Sequence, residues 1–422
     1  MAIAVVGMID EREEILSLIR ERIEQIGHRV LLIDITIGTG AIVPSVKADI
    51  SCAELSKLGG GPSDGVTGYI PARRKEAISF MTKGLHDKVM ELYNNGELEG
   101  ILAVSGLTGA MISLPALKAL PFGVPKIIIS SAMALPVHAD KYAEFVCVKD
   151  ITVMHAVVDT VGMNSLVRKL ALNGADAISG MVAGNEGAGA EEKPSVAITE
   201  FGFTDQGAHY IREFLEREYE LVSFHANGVG DLAAMEIIPH GPFKAFIDLV
   251  PGAFSEYLLG GNRNNSGPNR LDIVSDLPIP YILCPGGFDI ISCGPVERRD
   301  SGDHLWESRK LAERKLYIQE HPRAHARMNG EELEYITSVA AERLNLYGHK
   351  ERVKIIIPLR GFSSLSVEGG PLFDPDADKM FAGTLKKSLD PEIEIIEVDS
   401  DINSKAFAEA VAKTLMKIIK GE

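Results

Sequence analysis

The chain has little cysteine and no long hydrophobic run. Its four cysteines (Cys52, Cys147, Cys284 and Cys293) form no CxxC pair and show no regular spacing. We therefore interpret them as ordinary thiols rather than as zinc ligands or a disulfide framework. The longest largely apolar stretches, such as Ile127–Leu135, are far shorter than the roughly 20 residues that span a bilayer. We expect no membrane partner.

Three sequence fingerprints are missing from the chain. There is no GxGxxG, no GxxxxGK[ST] and no GxSxG, so the common dinucleotide turn, the phosphate loop of P-loop proteins and the nucleophile elbow of α/β hydrolases are not supported. His321 and His325 have the i, i+4 spacing that metals can use on a helix. The intervening Pro322 and the lack of an acid at HExxH spacing argue against zinc there.

Basic residues are in the minority. The chain has 43 Lys and Arg against 59 Asp and Glu, which gives a net charge of −16 at pH 7. Such a charge repels phosphate backbones, so we expect no nucleic-acid partner. A nucleotide remains compatible, because backbone N–H groups and magnesium can hold phosphates. The first residues run into a strand without a basic leader, which favours a cytoplasmic protein.

Apolar periodicity alternates between strand and helix along the chain. Ala2–Gly7 is a predicted strand, Glu11–Ile26 a helix with one apolar stripe, and Arg29–Asp34 the next strand. At 422 residues, two domains are expected. The same strand–helix–strand order begins again after a polar, glycine-rich segment. We predict two Rossmann-like, doubly wound domains with mostly parallel sheets, related by a worn internal duplication: residues 1–183 (nucleotide domain), a linker at 184–193, and residues 194–422 (substrate domain).

Polar and glycine residues mark the strand ends of the first half, where ligands bind in such sheets. The turn after the third strand opens a helix, whose free N–H groups suit a phosphate or carboxylate; the other interpretation is that its glycines only relieve strain. Asp34 is either a ribose-binding acid or a plain loop acid, and Asp10 is a candidate magnesium ligand. The candidate cofactor residues are Gly7, Asp10, Asp34, Ser105, Gly106, Thr108, Gly109, Ser130 and Ser131.

The second half offers candidate catalytic residues at its own strand ends. His225 is a candidate acid–base group, and Arg360 could clamp a carboxylate or phosphate; the other interpretations are a turn cap and a structural salt bridge. Asp289 follows another strand. Residues predicted to bind substrate are Asn227, Gly228, Gly230 and Gly361.

Several motifs in order resemble one family. They are Val148–Asp159 with Gly162–Asn164, His225–Gly230, Pro358–Leu365 and Gly370–Asp378. Together they resemble the family of the ATP-binding N-terminal region of a tomato mosaic virus resistance protein, over essentially the whole chain. The resemblance implies two Rossmann-like domains, a homodimer, and ATP bound by the N-terminal half.

The first turn departs from the family pattern, which is Gly-Thr-x-Asp-Thr-Lys-Gly. Here Gly7 and Asp10 are kept, both threonines are lost, and Arg12 stands near the place of the lysine. Arginine is not a neutral replacement for lysine, because its guanidinium is planar and forks its donors.

Three functions follow as hypotheses. The first is an ATP-binding protein that uses magnesium and acts as an enzyme on a small anionic metabolite in an interdomain cleft. The second is a non-catalytic module that senses a ligand or binds a partner. The third is a nicotinamide-dependent or cofactor-free enzyme acting on a sugar-acid-like metabolite.

Overall fold

The chain divides into two α/β units, residues 1–190 and 191–422. The computed structural model describes residues 1–38, 43–62, 73–184, 193–320 and 323–421. Most of the linker predicted at 184–193 lies outside these ranges. No helix among the described residues is long and apolar enough to cross a membrane.

Unit 1 is built on one five-stranded sheet in which every pairing is parallel, with the order β2-β1-β3-β4-β5. Its elements are β1 (Ala2–Gly7), α1 (Ile9–Ile26), β2 (Val30–Asp34), α2 (Cys52–Leu58), α3 (Arg74–Asn94), β3 (Leu98–Ser105), α4 (Leu107–Ala119), β4 (Lys126–Ser130), α5 (Ala139–Val146), β5 (Thr152–His155) and α6 (Ser165–Gly184).

Both faces of this sheet are covered. Along β1, Ala4 and Val6 join the core on the side of α3 and α4, whereas Ile3 and Val5 join the core on the side of α1 and α6. A strand buried on both faces reads as a continuous apolar run, as β1 does. Because the helices after β1 and β3 cover opposite faces, the strand order reverses between these two strands. Ligands bind at such a switch point in doubly wound sheets.

Unit 2 has a six-stranded parallel sheet with the order β14-β13-β9-β8-β6-β7. Counted from its β7 edge, the first five strands (β7-β6-β8-β9-β13) have the same order in the chain as the five strands of unit 1 (β2-β1-β3-β4-β5). Its elements are β6 (Ser195–Glu200), α7 (Asp205–Leu215), β7 (Glu220–His225), α8 (Val229–Ile237), β8 (Phe243–Asp248), α9 (Gly252–Leu259), β9 (Tyr281–Leu283), β10 (Ile290–Ser292), α10 (His304–Ser308), β11 (Leu316–Glu320), β12 (Arg323–Arg327), α11 (Gly330–Leu344), β13 (Val353–Pro358), α12 (Pro375–Ser388), β14 (Glu394–Val398) and α13 (Lys405–Lys420).

A small antiparallel sheet of order β10-β12-β11 lies between β9 and α11 in sequence, and it was not predicted. In its central strand the small residues Ala324 and Ala326 pack into the core of unit 2. The alternation of a strand puts Arg323, His325 and Arg327 on the opposite face. His325 is thus on a strand, so the helical spacing considered for zinc does not apply to it, and His321 lies outside the described residues.

Candidate functional site

The first turn of unit 1 is held by Asp34. Its Oδ1 accepts hydrogen bonds from the backbone N–H of Ile9 (3.3 Å) and of Thr36 (2.9 Å). The hydroxyl of Thr36 lies 2.5 Å from Asp34 Oδ1 and 3.1 Å from Asp10 Oδ1. Asp34 therefore fixes the entry of α1, which follows directly from Gly7, and it orients Asp10 through a shared threonine.

Arg12 brings a buried guanidinium to the start of α4. The residue is 6% exposed, and its Nε donates to the hydroxyl of Thr160 at 2.8 Å. Its Nη1 pairs with Glu11, and its Nη2 lies 3.8 Å from Asp159. A Cβ built on Gly106, the N-cap of α4, would be 3.0 Å from Arg12 Nη2. Glycine at this position lets the cation lie against the helix N-terminus.

Ser105 supplies a hydroxyl without a partner at the same point. It is 2% exposed, and its Oγ has no hydrogen-bond partner among the described residues. A Cβ on Gly109 would be 2.8 Å from Ser105 Cβ, so glycine is needed for the first turn of α4 to pass this serine. Buried hydroxyls are normally paired, so Ser105 Oγ is a candidate ligand contact.

The other predicted cofactor residues lie at neighbouring strand ends of unit 1. Thr108 Oγ1 accepts a hydrogen bond from Arg74 Nη2 at 3.1 Å. Ser130 Oγ accepts one from the backbone N–H of Ala132 at 3.1 Å, which closes the turn after β4, and Ser131 follows half-buried. Thr108 lies within the α4 N-terminus, whereas Ser130 is engaged by its own turn.

No group of three or more His, Cys, Asp or Glu side chains in the described ranges is placed to hold a metal ion. Burial, together with the charge of Asp34, raises the pKa of Cys52 to about 12. That thiol stays protonated at neutral pH and is not a ready metal ligand. A magnesium ion at Asp10 would need phosphate oxygens and water to complete its octahedral shell.

Unit 2 contains a cleft of about 680 Å³ at the carboxyl ends of β6 and β7, above the small antiparallel sheet. On that sheet Ser292 and Tyr317 are the cross-strand neighbours of His325, one on each side. Ser292 Oγ lies 3.3 Å from His325 Nδ1. The three side chains form a row that lines the cleft.

His325 is held neutral. Burial, together with the positive charges of Arg263 and Arg323, lowers the pKa of its imidazole to about 4. Its Nε2 has no hydrogen-bond partner among the described residues. Arg263 is itself buried and donates from Nε (3.0 Å) and Nη2 (2.9 Å) to Glu256 Oε1. The cleft thus brings together two arginines and an uncharged histidine.

The three predicted catalytic residues occupy different surroundings. His225 is exposed and lines the cleft. Asp289 is fully buried, where its Oδ2 accepts a hydrogen bond from Ser363 Oγ at 2.7 Å and lies 3.7 Å from Arg327 Nη1. Arg360 forms an exposed bidentate ion pair with Asp399, in which the Nε–Oδ1 and Nη2–Oδ2 distances are both 2.8 Å. It lies beside a groove other than the cleft.

The predicted substrate-binding residues shape turns in unit 2. Asn227 lines the cleft and also caps α8, because its Oδ1 accepts from the backbone N–H of Gly230 at 2.9 Å. Gly228 and Gly361 have positive φ angles of 93° and 135°, which glycine adopts most readily. A Cβ on Gly230 would be 2.0 Å from the carbonyl oxygen of His225.

Polar side chains below the strand ends of unit 2 form a closed network. Arg270 is fully buried; it donates to Asp231 at 2.6 Å and to both oxygens of Asp248 at 2.8 Å. Asp248 also accepts hydrogen bonds from Thr199 (2.7 Å) and Tyr281 (3.0 Å). Because Arg270 contacts both carboxylates, the network stabilises the switch point between β6 and β8 rather than offering a free group.

Sequence reasoning selected His225 and Asn227, considered His325 only for zinc, and missed six other residues that line the cleft of unit 2: Phe201, Phe203, Arg263, Ser292, Tyr317 and Arg323. One signal was present. The run Arg323–Arg327 alternates basic side chains with alanine, which is the period of a strand with one polar face.

Comparisons with known proteins match both units in order. The model of the N-terminal domain of the uncharacterised protein family UPF0261 matches residues 1–187, and that of its C-terminal domain matches residues 193–419. A UPF0261 protein of Clostridium tetani is 30% identical over 421 residues, which is 99% of each chain. One of Mesorhizobium japonicum is 27% identical over 419 residues, or 98% of each.

A tomato protein is also similar. The ToMV susceptible protein tm-1(GCR26) of Solanum lycopersicum is 26% identical over 363 residues, which cover 84% of this chain and 46% of the tomato protein. This match confirms the relationship that the motifs indicated. Since the two domain models account for nearly the whole chain, the protein belongs to the UPF0261 family.

Proposed function

We propose that unit 1 binds a phosphate-bearing small molecule, with ATP the first ligand to test, at the switch point between β1 and β3. The observation that carries the proposal is the buried guanidinium of Arg12 beside Gly106 at the start of α4. The N-terminus of a helix presents free N–H groups and a positive dipole end to an anion. The unpaired hydroxyl of Ser105 adds a donor at the same point.

The negative charge around the first turn of unit 1 is the reason that the proposal includes magnesium. The carboxylates of Asp10, Glu11, Asp34 and Asp159 surround the first turn, whereas Arg12 is the cation among them. An unaccompanied triphosphate would be repelled by this excess of negative charge. A magnesium ion carried by the phosphates offsets it, and Asp10 is placed to meet the ion directly or through water.

The test is calorimetric titration of ATP, with and without magnesium, into the intact protein. We expect a magnesium-dependent affinity that falls about tenfold or more in Arg12→Met, because a charge-assisted hydrogen bond contributes roughly 1.5–3 kcal/mol. Arg22→Met is the matched control, since Arg22 is on the same helix but pairs with Asp176 at the exposed surface.

A second variant guards against misfolding of Arg12→Met. Gly106→Ala places a methyl group 3.0 Å from Arg12 Nη2 and should weaken ATP binding while the circular dichroism spectrum stays unchanged. Equal ATP affinity in Arg12→Met, Gly106→Ala and the Arg22→Met control would refute the assigned site.

We also propose that the protein is a homodimer, which the family resemblance supports. Light scattering on the purified chain should then give about twice its mass of 45.6 kDa. A mass equal to a single chain at micromolar concentration would contradict this.

A further inference from the structure

The cleft of unit 2 has an aromatic wall. The ring of Phe201 lies 5.4 Å from that of Phe203 and 5.4 Å from the imidazole of His225. Phe203 in turn packs edge-on against His325 at 5.0 Å and Tyr317 at 6.3 Å. The cleft volume of about 680 Å³ is enough for a small molecule, and the rings offer a planar molecule a broad apolar surface.

Two polar side chains of the cleft are occupied by partners within the protein. The guanidinium of Arg263 donates to Glu256 from Nε and Nη2, and to the carbonyl of Ala226 from Nη1 at 3.3 Å. The amide of Asn262 donates to the carbonyl of Gly294 at 2.7 Å. These contacts hold the cleft in shape, so recognition of a ligand has to come from other polar atoms.

His325 supplies such an atom. Among the described buried side-chain atoms without a hydrogen-bond partner, its Nε2 is the one that belongs to a residue lining the cleft. At the other ring nitrogen, Ser292 Oγ lies 3.3 Å from Nδ1 and has no other hydrogen-bond partner within the described ranges.

The hydroxyl of Ser292 decides which nitrogen of the imidazole carries the proton. A serine hydroxyl has one proton to donate, and a neutral imidazole has one N–H. When Ser292 donates to Nδ1, its proton is paired and Nε2–H is the one open donor. The opposite arrangement would leave the serine proton without an acceptor as well. Nε2 is therefore a buried donor that lacks an acceptor, which is rare in folded proteins.

The open nitrogen is on the side of the cleft. Nε2 is the ring nitrogen farther from the backbone, so it points away from the small antiparallel sheet, on the face where Ser292, His325 and Tyr317 line the cleft. Because Nε2 is buried, an acceptor reaches it when a side chain at the cleft surface turns aside. Phe203 is half-buried and packs against the imidazole, which makes it the side chain placed to move.

We propose that this cleft binds a planar aromatic molecule that carries a carbonyl group. The carbonyl oxygen accepts a hydrogen bond from His325 Nε2, and the ring of the molecule packs against Phe201 and Tyr317. The site belongs to unit 2 alone and does not rest on the phosphate site of unit 1.

The test compares two small probes, benzamide and toluene, by saturation-transfer NMR on the intact protein. Both have one phenyl ring, and only benzamide has a carbonyl group. His325→Phe keeps a ring in the wall and removes the donor. Benzamide affinity should fall about tenfold in this variant, the equivalent of 1.4 kcal/mol, whereas toluene should bind both proteins equally. The difference between the probes isolates the hydrogen bond from the packing of the ring.

Two further variants separate the donor from the fold. His325→Gln places an amide N–H at about the reach of Nε2, so it should bind benzamide more tightly than His325→Phe does. Tyr317→Leu shortens the wall and should weaken benzamide and toluene alike. His240→Phe is the matched control, because His240 is an exposed histidine of unit 2 outside the cleft, with its Nδ1 3.0 Å from the carbonyl oxygen of Glu236.

Three results would overturn the proposal: no saturation transfer to benzamide, a loss of benzamide affinity in His325→Phe no larger than that of toluene, or an equal loss in His240→Phe. Its failure is separable from failure of the phosphate site. ATP binding should be retained in His325→Phe, and benzamide binding should be retained in Arg12→Met.

Discussion

At the scale of single residues, Arg270 and Arg360 each form a bidentate ion pair with an aspartate, one pair in the protein interior and the other at the surface. Arg270 and its partner Asp248 are both fully buried, whereas Arg360 and Asp399 are 66% and 72% exposed. Burial makes the pairing of Arg270 obligatory, because removal of one partner leaves an uncompensated charge. The exposed pair is screened by water and competes with solvent.

We therefore expect Arg270→Met to lower the free energy of unfolding by about 3–5 kcal/mol, since Asp231 and Asp248 would be left buried without their cation. Arg360→Met is its matched control and should cause no measurable loss. Urea unfolding followed by Trp306 fluorescence measures both variants. Equal stability of the two variants would contradict the assignment of the buried network.

His325 predicts a pH dependence for unit 2. Its folded-state pKa of about 4 is below the ordinary value of 6.5, because burial and two arginines disfavour the imidazolium. Its stabilising contribution is therefore complete above about pH 6.5 and is lost as the pH falls toward 4. The full loss is on the order of 3 kcal/mol, from 1.36 kcal/mol per pKa unit.

The measurement is the free energy of unfolding of the wild type and of His325→Gln at pH 7.5 and pH 4.5. The variant should lose less stability on acidification than the wild type. Burial raises the pKa of Asp378 to about 6, which acts in the opposite direction, and the comparison removes it because both proteins contain it. Identical losses would show that His325 is not kept neutral by the fold.

At the scale of secondary-structure elements, the close approach of β7 and α8 depends on a glycine. A Cβ on Gly230 would lie 2.0 Å from the backbone carbonyl oxygen of His225, whereas a Cβ on Gly383, within α12, would meet nothing within 4 Å. We expect Gly230→Ala to destabilise unit 2 by about 1–3 kcal/mol through overpacking. Gly383→Ala should instead stabilise it by up to about 1 kcal/mol.

Thermal unfolding of these two alanine variants is the check. The variants share the same chemical change and differ in the space around the new methyl group. If Gly230→Ala were as stable as Gly383→Ala, the turn that places His225 and Asn227 at the cleft would have to differ from the one described.

The elements of the parallel sheets follow from local pattern. The helix predicted over Glu11–Ile26 is α1, which begins two residues earlier at Ile9, and the strand predicted over Ala2–Gly7 is β1. The apolar periodicity of each segment is long enough to predict the element from the local sequence alone. The strand predicted over Arg29–Asp34 is β2, which begins one residue later at Val30.

The small antiparallel sheet was missed for a physical reason. Its strands are short, and its centre carries arginine and histidine rather than β-branched residues, so strand propensity is weak there. Ala324 and Ala326 become buried only because other segments of unit 2 cover them. The floor of the cleft therefore depends on non-local packing, which a single sequence does not reveal.

At the scale of the whole molecule, the two doubly wound units with parallel sheets were predictable from the alternation of strand and helix. The rule that ligands bind beyond the carboxyl ends of strands selected Gly7, Ser105 and Gly106, which lie at the switch point of unit 1; their role in binding stays a prediction. The rule did not predict that His225, Asp289 and Arg360 lie in three different surroundings. Residues at the same edge of a sheet can still differ in burial and in their position along that edge.

The account's central claim is that unit 1 binds a phosphate group at the N-terminus of α4. The most direct test is hydrogen–deuterium exchange of the intact protein with and without ATP and magnesium. The amides of Leu107, Thr108 and Gly109 precede the first helical hydrogen bond of α4, which is made by Ala110. They should exchange more slowly with ATP and magnesium, together with residues 7–12. Protection confined to unit 2, or no protection anywhere, would contradict the claim.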